Sequence, residues 1–273
     1  MLFNRLKSLF VLIIVLLSVS ILLVLNSRTE DPKAPIVSIP KQEPIEPIVE
    51  EITRGHIIII IDDFGYRNDE VSEGFLTLDA DLTFAVIPGH KNSKLFSERA
   101  DKSGYEIIIH MPMESTADTH GELDYILTES MTSSEIEQRV EKVISEFPEA
   151  AGLNNHQGSK ATADKRIMNI VSNVLKRHGR YFVDSRTTSE TVAEDIMRSR
   201  GVPTARRHVF LDNDDDINKI RNQLYKLVDK AESKGGAIGI GHVKKLTLQV
   251  LKEEIPKLKK NGFKFQFASF VVK

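Results

Sequence analysis

Short apolar runs that alternate with longer stretches of helical spacing constrain the fold of this chain more than any other feature of its sequence. The runs are only a few residues long and rich in β-branched residues, which is typical of strands buried on both faces of a sheet. They lie at residues 57–61, 82–87, 106–109, 150–153, 181–183, 209–211, 237–240 and 263–272. This alternation predicts an α/β protein with a mostly parallel sheet, either open or closed as a barrel.

The stretches between the runs predict helices. Apolar residues recur at helical spacing in four of them, at residues 132–144, 167–175, 217–228 and 246–258. The first stretch begins with Thr132 and Glu135, which have the spacing of a capping box. The last contains Pro256, which predicts a kink.

Polar side chains follow nearly every predicted strand, close behind its last apolar residue. The carboxyl ends of parallel strands meet at one edge of the sheet, where parallel α/β proteins hold their active sites. We therefore expect these side chains to share one site. They include Asp62, Asp63, His90, His110, Glu114, His156, Asp184, Asp212 and His242.

The residue types at this edge predict a hydrolytic metal centre. An aspartate and two histidines with one open position form the ligand pattern of a catalytic zinc ion or a similar divalent ion. A neighbouring carboxylate would accept a proton from the attacking water, and a histidine opposite would protonate the leaving group. The chain contains no cysteine, so a metal must be bound by histidine, aspartate or glutamate.

Five sequence blocks, taken in order, resemble the divergent polysaccharide deacetylase family: IDDFGY, HMPME, LNNHQGS, FVDSRTT and GIGH. Among polysaccharide deacetylases in general, IDDFG resembles T-F-D-D-G, HMPME resembles H-[ST]-x-x-H, and AIGIGH resembles L-x-H. The resemblance implies a distorted (β/α) barrel of about seven parallel strands. It also implies metal-dependent hydrolysis of an N- or O-acetyl group on a sugar. By position, Asp62 would be the general base, Asp63 and His110 metal ligands, and His242 the general acid.

The third metal ligand is where this chain departs from the motif of the wider family. Four residues after His110, where that family has histidine, this chain has Glu114. Glu114 could replace the ligand directly, or His156 at the next strand end could supply it. Because histidine is the commoner zinc ligand, we expect His156, with Glu114 as a fourth ligand or a supporting group. Asp184 is a further candidate catalytic residue, although pairing with Arg186 would explain it structurally.

An uncharged apolar run at residues 9–25 precedes the folded part of the chain. As a helix it would span about 25 Å, nearly the thickness of the hydrocarbon core of a membrane. It is either a cleaved signal peptide or an anchor that leaves Arg5 and Lys7 in the cytoplasm, and we expect the anchor. Residues 1–28 are then the anchor, the proline-rich residues 29–52 a linker, and residues 53–273 an exported domain on the periplasmic or extracellular face.

The sequence thus predicts a membrane-anchored, metal-dependent hydrolase that removes acetyl groups from a cell-envelope glycan, with zinc as the expected metal. No nucleic-acid partner is expected at a net charge of −2. A glycan-binding or scaffold protein on the same fold, with weak or no turnover, stays open, because Glu114 replaces histidine and the chain has no tryptophan. A magnesium-dependent phosphohydrolase would suit the paired acids, but no glycine-rich phosphate loop is present.

Overall fold

The computed structural model describes residues 2–26, 53–117 and 121–273. The chain divides into two units, residues 1–49 and 50–273. In the first unit, helix α1 (Leu2–Asn26) contains the apolar run. Among the described residues, no helix combines the length and apolar character needed to cross a membrane, so the predicted span is not confirmed. The predicted linker at 29–52 lies outside the described residues.

The second unit is built around a single sheet in which all described strand pairs are parallel. Its nine described strands are β1 (Gly55–Phe64), β2 (Thr83–Val86), β3 (Glu106–Met113), β4 (Gly152–Gln157), β5 (Tyr181–Asp184), β6 (Thr204–Arg206), β7 (Val209–Phe210), β8 (Gly236–His242) and β9 (Phe263–Gln266). Eight of them follow the order β6-β5-β4-β3-β2-β1-β8-β7, and β9 pairs with β1.

The sheet curls into a barrel-like form because its two ends are joined by consecutive residues. Strands β6 and β7 lie at opposite ends of the strand order, yet only Arg207 and His208 separate them in the chain. The Arg207 amide donates to Asp184 of β5, and the His208 amide donates to Ile238 of β8. The predicted parallel α/β architecture is confirmed. The structure has nine described strands, more than the about seven that the family resemblance implies. The eight predicted apolar runs miss only the short polar strand β6.

The isoleucines of β1 are buried on both faces of the sheet, as predicted. Ile58 and Ile60 point into the barrel and pack with Ile108 and Ile240. Their odd-numbered neighbours at 57, 59 and 61 point outward and pack under the surrounding helices. Full burial of one such side chain contributes about 1.5–3 kcal/mol relative to leaving it exposed, so this strand anchors both layers of the core.

In the described part of the second unit, seven helices surround the sheet. They are α2 (Glu70–Phe75), α3 (Ser93–Lys102), α4 (Ser133–Glu146), α5 (Lys165–Arg177), α6 (Ala193–Arg200), α7 (Ile217–Lys234) and α8 (Lys245–Lys260). The capping box predicted for α4 is present, because the Thr132 hydroxyl accepts from the Glu135 amide and the Glu135 carboxylate accepts from the Thr132 amide. Pro256 lies inside α8 without ending it.

The C-terminal segment closes the amino end of the barrel. The predicted strand at 263–272 ends at Gln266, and a 3-10 turn (Ala268–Phe270) follows it. The Ala268 amide donates to the Thr83 hydroxyl and the Ser269 amide donates to the Glu106 carboxylate, which lie at the starts of β2 and β3. Ala268 is fully buried against the residues inside the barrel. The opposite edge, formed by the carboxyl ends of the strands, holds the polar residues.

Candidate active site

A bulge at the end of β1 brings two adjacent carboxylates to the same site. Neighbouring side chains of a regular strand point to opposite faces, so Asp62 and Asp63 could not converge on an extended chain. The pairing of β1 with β2 shifts register between Ile61 and Phe64, which is the mark of a β-bulge. Asp63 adopts a left-handed backbone conformation with φ of +72°, which turns its side chain back toward the site.

Asp63, His110 and His156 form a group that could hold a metal ion. Asp63 Oδ1 lies 3.5 Å from His110 Nε2 and 3.4 Å from His156 Nδ1. The two histidine nitrogens are 3.1 Å apart. In a tetrahedral shell with bonds of about 2.1 Å, neighbouring ligand atoms lie about 3.4 Å apart, so the triangle fits a divalent ion. Among the described residues, the buried Asp63 Oδ1 atom has no partner in hydrogen-bond geometry, as expected for an atom placed to coordinate.

Asn154, a fully buried residue of β4, connects this group to Asp62. Its Nδ2 donates to Asp62 Oδ1 over 2.9 Å, and its Oδ1 accepts from His110 Nδ1 over 2.7 Å. An ionised carboxylate only accepts hydrogen bonds, so the amide nitrogen must face Asp62 and the oxygen must face His110. In the neutral histidine ring the proton therefore sits on Nδ1, and the Nε2 lone pair points toward Asp63.

The electrostatic environment shifts the pKa values of the two carboxylates in opposite directions. Burial raises the pKa of Asp62 above its ordinary value, although the nearby His110 and His242 oppose this effect. Burial also acts to raise the pKa of Asp63, but the close approach of the His110 and His156 imidazoles outweighs it and holds that pKa well below its ordinary value. Asp63 thus stays ionised, as a metal ligand must, while Asp62 keeps a higher affinity for a proton, as suits a general base.

His242 lies across from these residues, opposite Asp62 in the register of β1 and β8. Its Nδ1 is 2.8 Å from Asp212 Oδ1, and its backbone amide donates to Asp212 Oδ2. The Thr247 hydroxyl donates to the same Oδ2 oxygen. Burial acts to lower the pKa of His242, but the bond to Asp212 and its charge raise it above the ordinary value. The pair therefore favours a protonated histidine, the form that a general acid requires.

Two of the predicted catalytic or metal-ligating residues do not join this group. Glu114 Oε1 accepts from Lys160 Nζ, and Oε2 accepts from the Glu129 amide, so both of its oxygens are engaged elsewhere. Asp184 is buried at the end of β5, where it accepts from the Arg186 amide and the Thr191 hydroxyl. The Arg186 contact is thus through the backbone. Asp62, Asp63, His110, His156 and His242 are brought together as the sequence predicts, while their catalytic roles stay predictions.

Two residues of the site carry a role that the sequence does not reveal. Asp212 follows a predicted strand, but the acidic run at 212–216 also reads as a helix cap, and Asp216 does cap α7. Asn154 precedes His156 by two residues in LNNHQGS, so it lies on the same side of β4. That spacing is the one signal that could have indicated Asn154.

A curled parallel sheet with a potential metal site at its carboxyl edge is the architecture of the α/β deacetylase fold. The sequence model of divergent polysaccharide deacetylases matches residues 59–272, and the chain belongs to that family. It is 34% identical over 204 residues to YibQ, an uncharacterized protein of Escherichia coli (strain K12). That match covers 75% of this chain and 63% of YibQ, so it spans less than two thirds of that relative.

Solved structures confirm the fold. The uncharacterized protein ATU2773 from Agrobacterium tumefaciens C58 superposes with a TM-score of 0.76 at 18% identity, over 80% of this chain and 89% of the other. The Xyl-CE4 domain of a multidomain xylanase, from the hindgut metagenome of Trinervitermes trinervoides, gives a TM-score of 0.51 at 14% identity. That match covers 79% of this chain and 88% of the domain. At these identities the likeness concerns the fold alone.

Proposed function

We propose that this protein is a metal-dependent hydrolase that removes acetyl groups from a cell-envelope polysaccharide or oligosaccharide. The observation that carries the proposal is the triangle of Asp63, His110 and His156 with Asp62 and His242 on either side. Ligand atoms 3.1–3.5 Å apart beside a buried carboxylate and a carboxylate-paired histidine form the parts that hydrolysis of an acyl group needs.

Each residue has a role that follows from its surroundings. Asp62, whose pKa is raised by burial, accepts a proton from the attacking water. His242, kept protonated by Asp212, donates a proton to the leaving sugar oxygen or nitrogen. Asp63, His110 and His156 would hold the cation. A divalent ion bound there supplies Lewis acidity, which polarises the acetyl carbonyl and lowers the pKa of water.

Zinc is the ion that the donor set suits best. Two imidazole nitrogens and one carboxylate oxygen in a near-equilateral triangle match a three-ligand catalytic zinc site with one open position. Magnesium prefers oxygen ligands and retains several waters, so two histidines in the triangle argue against a magnesium phosphohydrolase. Acetylated glycan as the substrate is supported by the family description and by a domain with this fold in a xylanase.

Metal content and acetate release, measured on the purified full chain, test the proposal. We expect about one zinc per chain and acetate release from acetylated oligosaccharides. His156→Ala should lose both, whereas Glu114→Ala should keep the metal, since the two oxygens of Glu114 are already engaged. Asp62→Asn should keep the metal and lose turnover. A chain that binds zinc without any turnover would instead support the glycan-binding alternative, and loss of metal in Glu114→Ala alone would contradict the ligand set.

We propose further that the N-terminal segment exports the domain and holds it at the outer face of the cytoplasmic membrane. The uncharged run at 9–25, preceded by Arg5 and Lys7, supports this localisation. Protease added to spheroplasts that express the full chain should digest the domain. Protection of the domain in unbroken spheroplasts would contradict the proposal.

A further inference from the structure

Arg207 holds a guanidinium group beside the candidate active site. Its backbone amide donates to Asp184 at the end of β5. Its guanidinium carbon lies 4.8 Å from the centre of the Phe210 ring. The Phe210 ring in turn lies 5.1 Å from the ring of His242, the predicted general acid. Arg207, Phe210 and His242 therefore form a row that leads from the catalytic edge outward.

Two backbone carbonyls fix the orientation of this guanidinium. Arg207 Nε donates to Ser185 O over 2.6 Å, and Nη2 donates to Arg186 O over 2.8 Å. These two bonds occupy the edge of the planar guanidinium that carries Nε and Nη2. The outer edge, with one N–H on Nη1 and one on Nη2, has no acceptor among the described residues. Two parallel donors of this kind match the two oxygens of a carboxylate.

No carboxylate of the described chain forms an ion pair with Arg207. The two acidic groups whose charges act on Arg207 are already hydrogen-bonded to other partners, Asp184 to Thr191 and Asp62 to Asn154. Burial lowers the pKa of Arg207, and the charge of Asp184 acts against this effect. A partly buried cation that lacks a directly bonded counter-charge is unfavourable in isolation, and a bound anion would relieve it.

A second observation marks the same place. Ser185, whose carbonyl accepts from Arg207, is 4% exposed, and its hydroxyl has no hydrogen-bond partner in the described structure. Its amide donates to Asn155, next to His156 of the metal-binding triangle. Buried polar side-chain atoms are nearly always paired, so the orphan hydroxyl of the residue that holds the guanidinium is a second unsatisfied polar group at this place.

We propose that Arg207, assisted by Ser185, binds a carboxylate on the glycan substrate, so that the protein acts on acetylated acidic sugars of the uronic acid type. This inference rests on the proposed deacetylase function and narrows its substrate class. The carboxylate occupies the outer edge of the guanidinium, next to Phe210, while the acetyl group lies at the triangle of metal ligands. The charged group thus orients the sugar relative to His242.

The test compares an O-acetylated oligogalacturonide with a neutral O-acetylated xylo-oligosaccharide, using the purified full chain. The wild type should prefer the acidic substrate, and added salt should weaken that preference. Arg207→Gln should lower the acidic-to-neutral ratio of kcat/KM by about ten- to hundredfold, the range expected for a charge-assisted hydrogen bond. Arg207→Lys, which retains the charge, should give a ratio between those of the wild type and Arg207→Gln. Arg206→Gln is the matched control, because Arg206 is exposed and faces Glu194.

Binding of the unacetylated oligogalacturonide, measured by calorimetry, separates this inference from the proposed function. If neither substrate is hydrolysed but Arg207→Gln abolishes binding, the carboxylate-binding subsite at Arg207 is supported and the deacetylase proposal fails. If acetate is released without any acidic preference, or Arg206→Gln and Arg207→Gln behave alike, the subsite inference is wrong. A preference for a phosphodiester-linked glycan over the uronide would overturn the assignment to a carboxylate. Melting curves confirm that each variant is folded.

Discussion

Replacing Asn154 by alanine tests whether one buried amide supports both the general base and the metal site. The substitution removes two hydrogen bonds and leaves Asp62 Oδ1 and His110 Nδ1 without those partners. Each buried polar group left unsatisfied costs about 1–3 kcal/mol, which sums to about 2–6 kcal/mol. For a domain of this size, a loss of about 4 kcal/mol lowers Tm by roughly 8–16 °C.

Asn155 offers a control with the same residue type, nearly the same burial and the same number of side-chain bonds. Its Nδ2 donates to Gln157 O and its Oδ1 accepts from the Ser185 amide, so it contacts neither Asp62 nor His110. Asn155→Ala should destabilise the fold by a similar amount. Only Asn154→Ala should also weaken zinc affinity, by about 10- to 100-fold, because it releases the ring of a metal ligand.

Calorimetric unfolding and zinc titration on the full-length variants measure these effects. Equal loss of zinc affinity in both variants would refute the reasoning, since it would make Asn154 an ordinary packing residue. Unchanged Tm in Asn154→Ala would refute the hydrogen-bond assignment itself. Asn154→Asp adds a finer comparison: it keeps an acceptor for His110 but sets a carboxylate against Asp62, so turnover should fall more than zinc affinity.

Three further predictions follow from the same geometry. Asp212→Asn removes the group that raises the pKa of His242, so the alkaline limb of the pH–rate profile should move to lower pH. The variant should also lose folding stability, most of all below pH about 6.5, and this loss should fade as the pH rises through the pKa of His242 in the folded protein. Gly158→Ala should cost about 1–3 kcal/mol on urea unfolding, because φ is +85° and a Cβ would lie 2.9 Å from Met113 Cβ. A chelator should lower the Tm of the wild type but not of His156→Ala, by about 5–11 °C if free zinc had been near 100 times its Kd. An unmoved alkaline limb in Asp212→Asn would contradict the first prediction, and an unchanged urea midpoint in Gly158→Ala the second. Equal chelator-induced shifts of Tm in the wild type and His156→Ala would contradict the third.

The strands of the core could be predicted because each carries its own signal. Five isoleucines in a row have few alternatives to a buried strand, and polar residues behind such runs must lie at a common edge. Strand β6 gave no such signal, since Thr204–Arg206 is short and polar and is held by its neighbours. The closure of the sheet by Arg207 and His208 depends on partners about 20 to 30 residues away, which no local pattern specifies.

In the candidate site, too, some residues could be predicted from a local sequence signal, whereas others depend on distant partners. His156 could be placed at the triangle from its strand-end position and from the frequency of histidine among zinc ligands. The expectation of Glu114 as a supporting ligand came from its spacing after His110, but Lys160, 46 residues further on, forms an ion pair with it. Asn154 bonds to Asp62 across 92 positions of sequence, so its role appears only when the strands are assembled.

The bulge at Asp63 has a consequence for attempts to improve this protein in the laboratory. A left-handed backbone at a residue other than glycine costs of order 1 kcal/mol, although aspartate tolerates it better than most. Asp63→Gly would relieve this backbone cost, but it would also remove a ligand and the carboxylate whose charge His110 and His156 stabilise. Residue 63 is therefore under two opposing demands, so a library screened for thermal resistance without an activity assay would weigh the backbone cost against that charge and leave the loss of the ligand unseen.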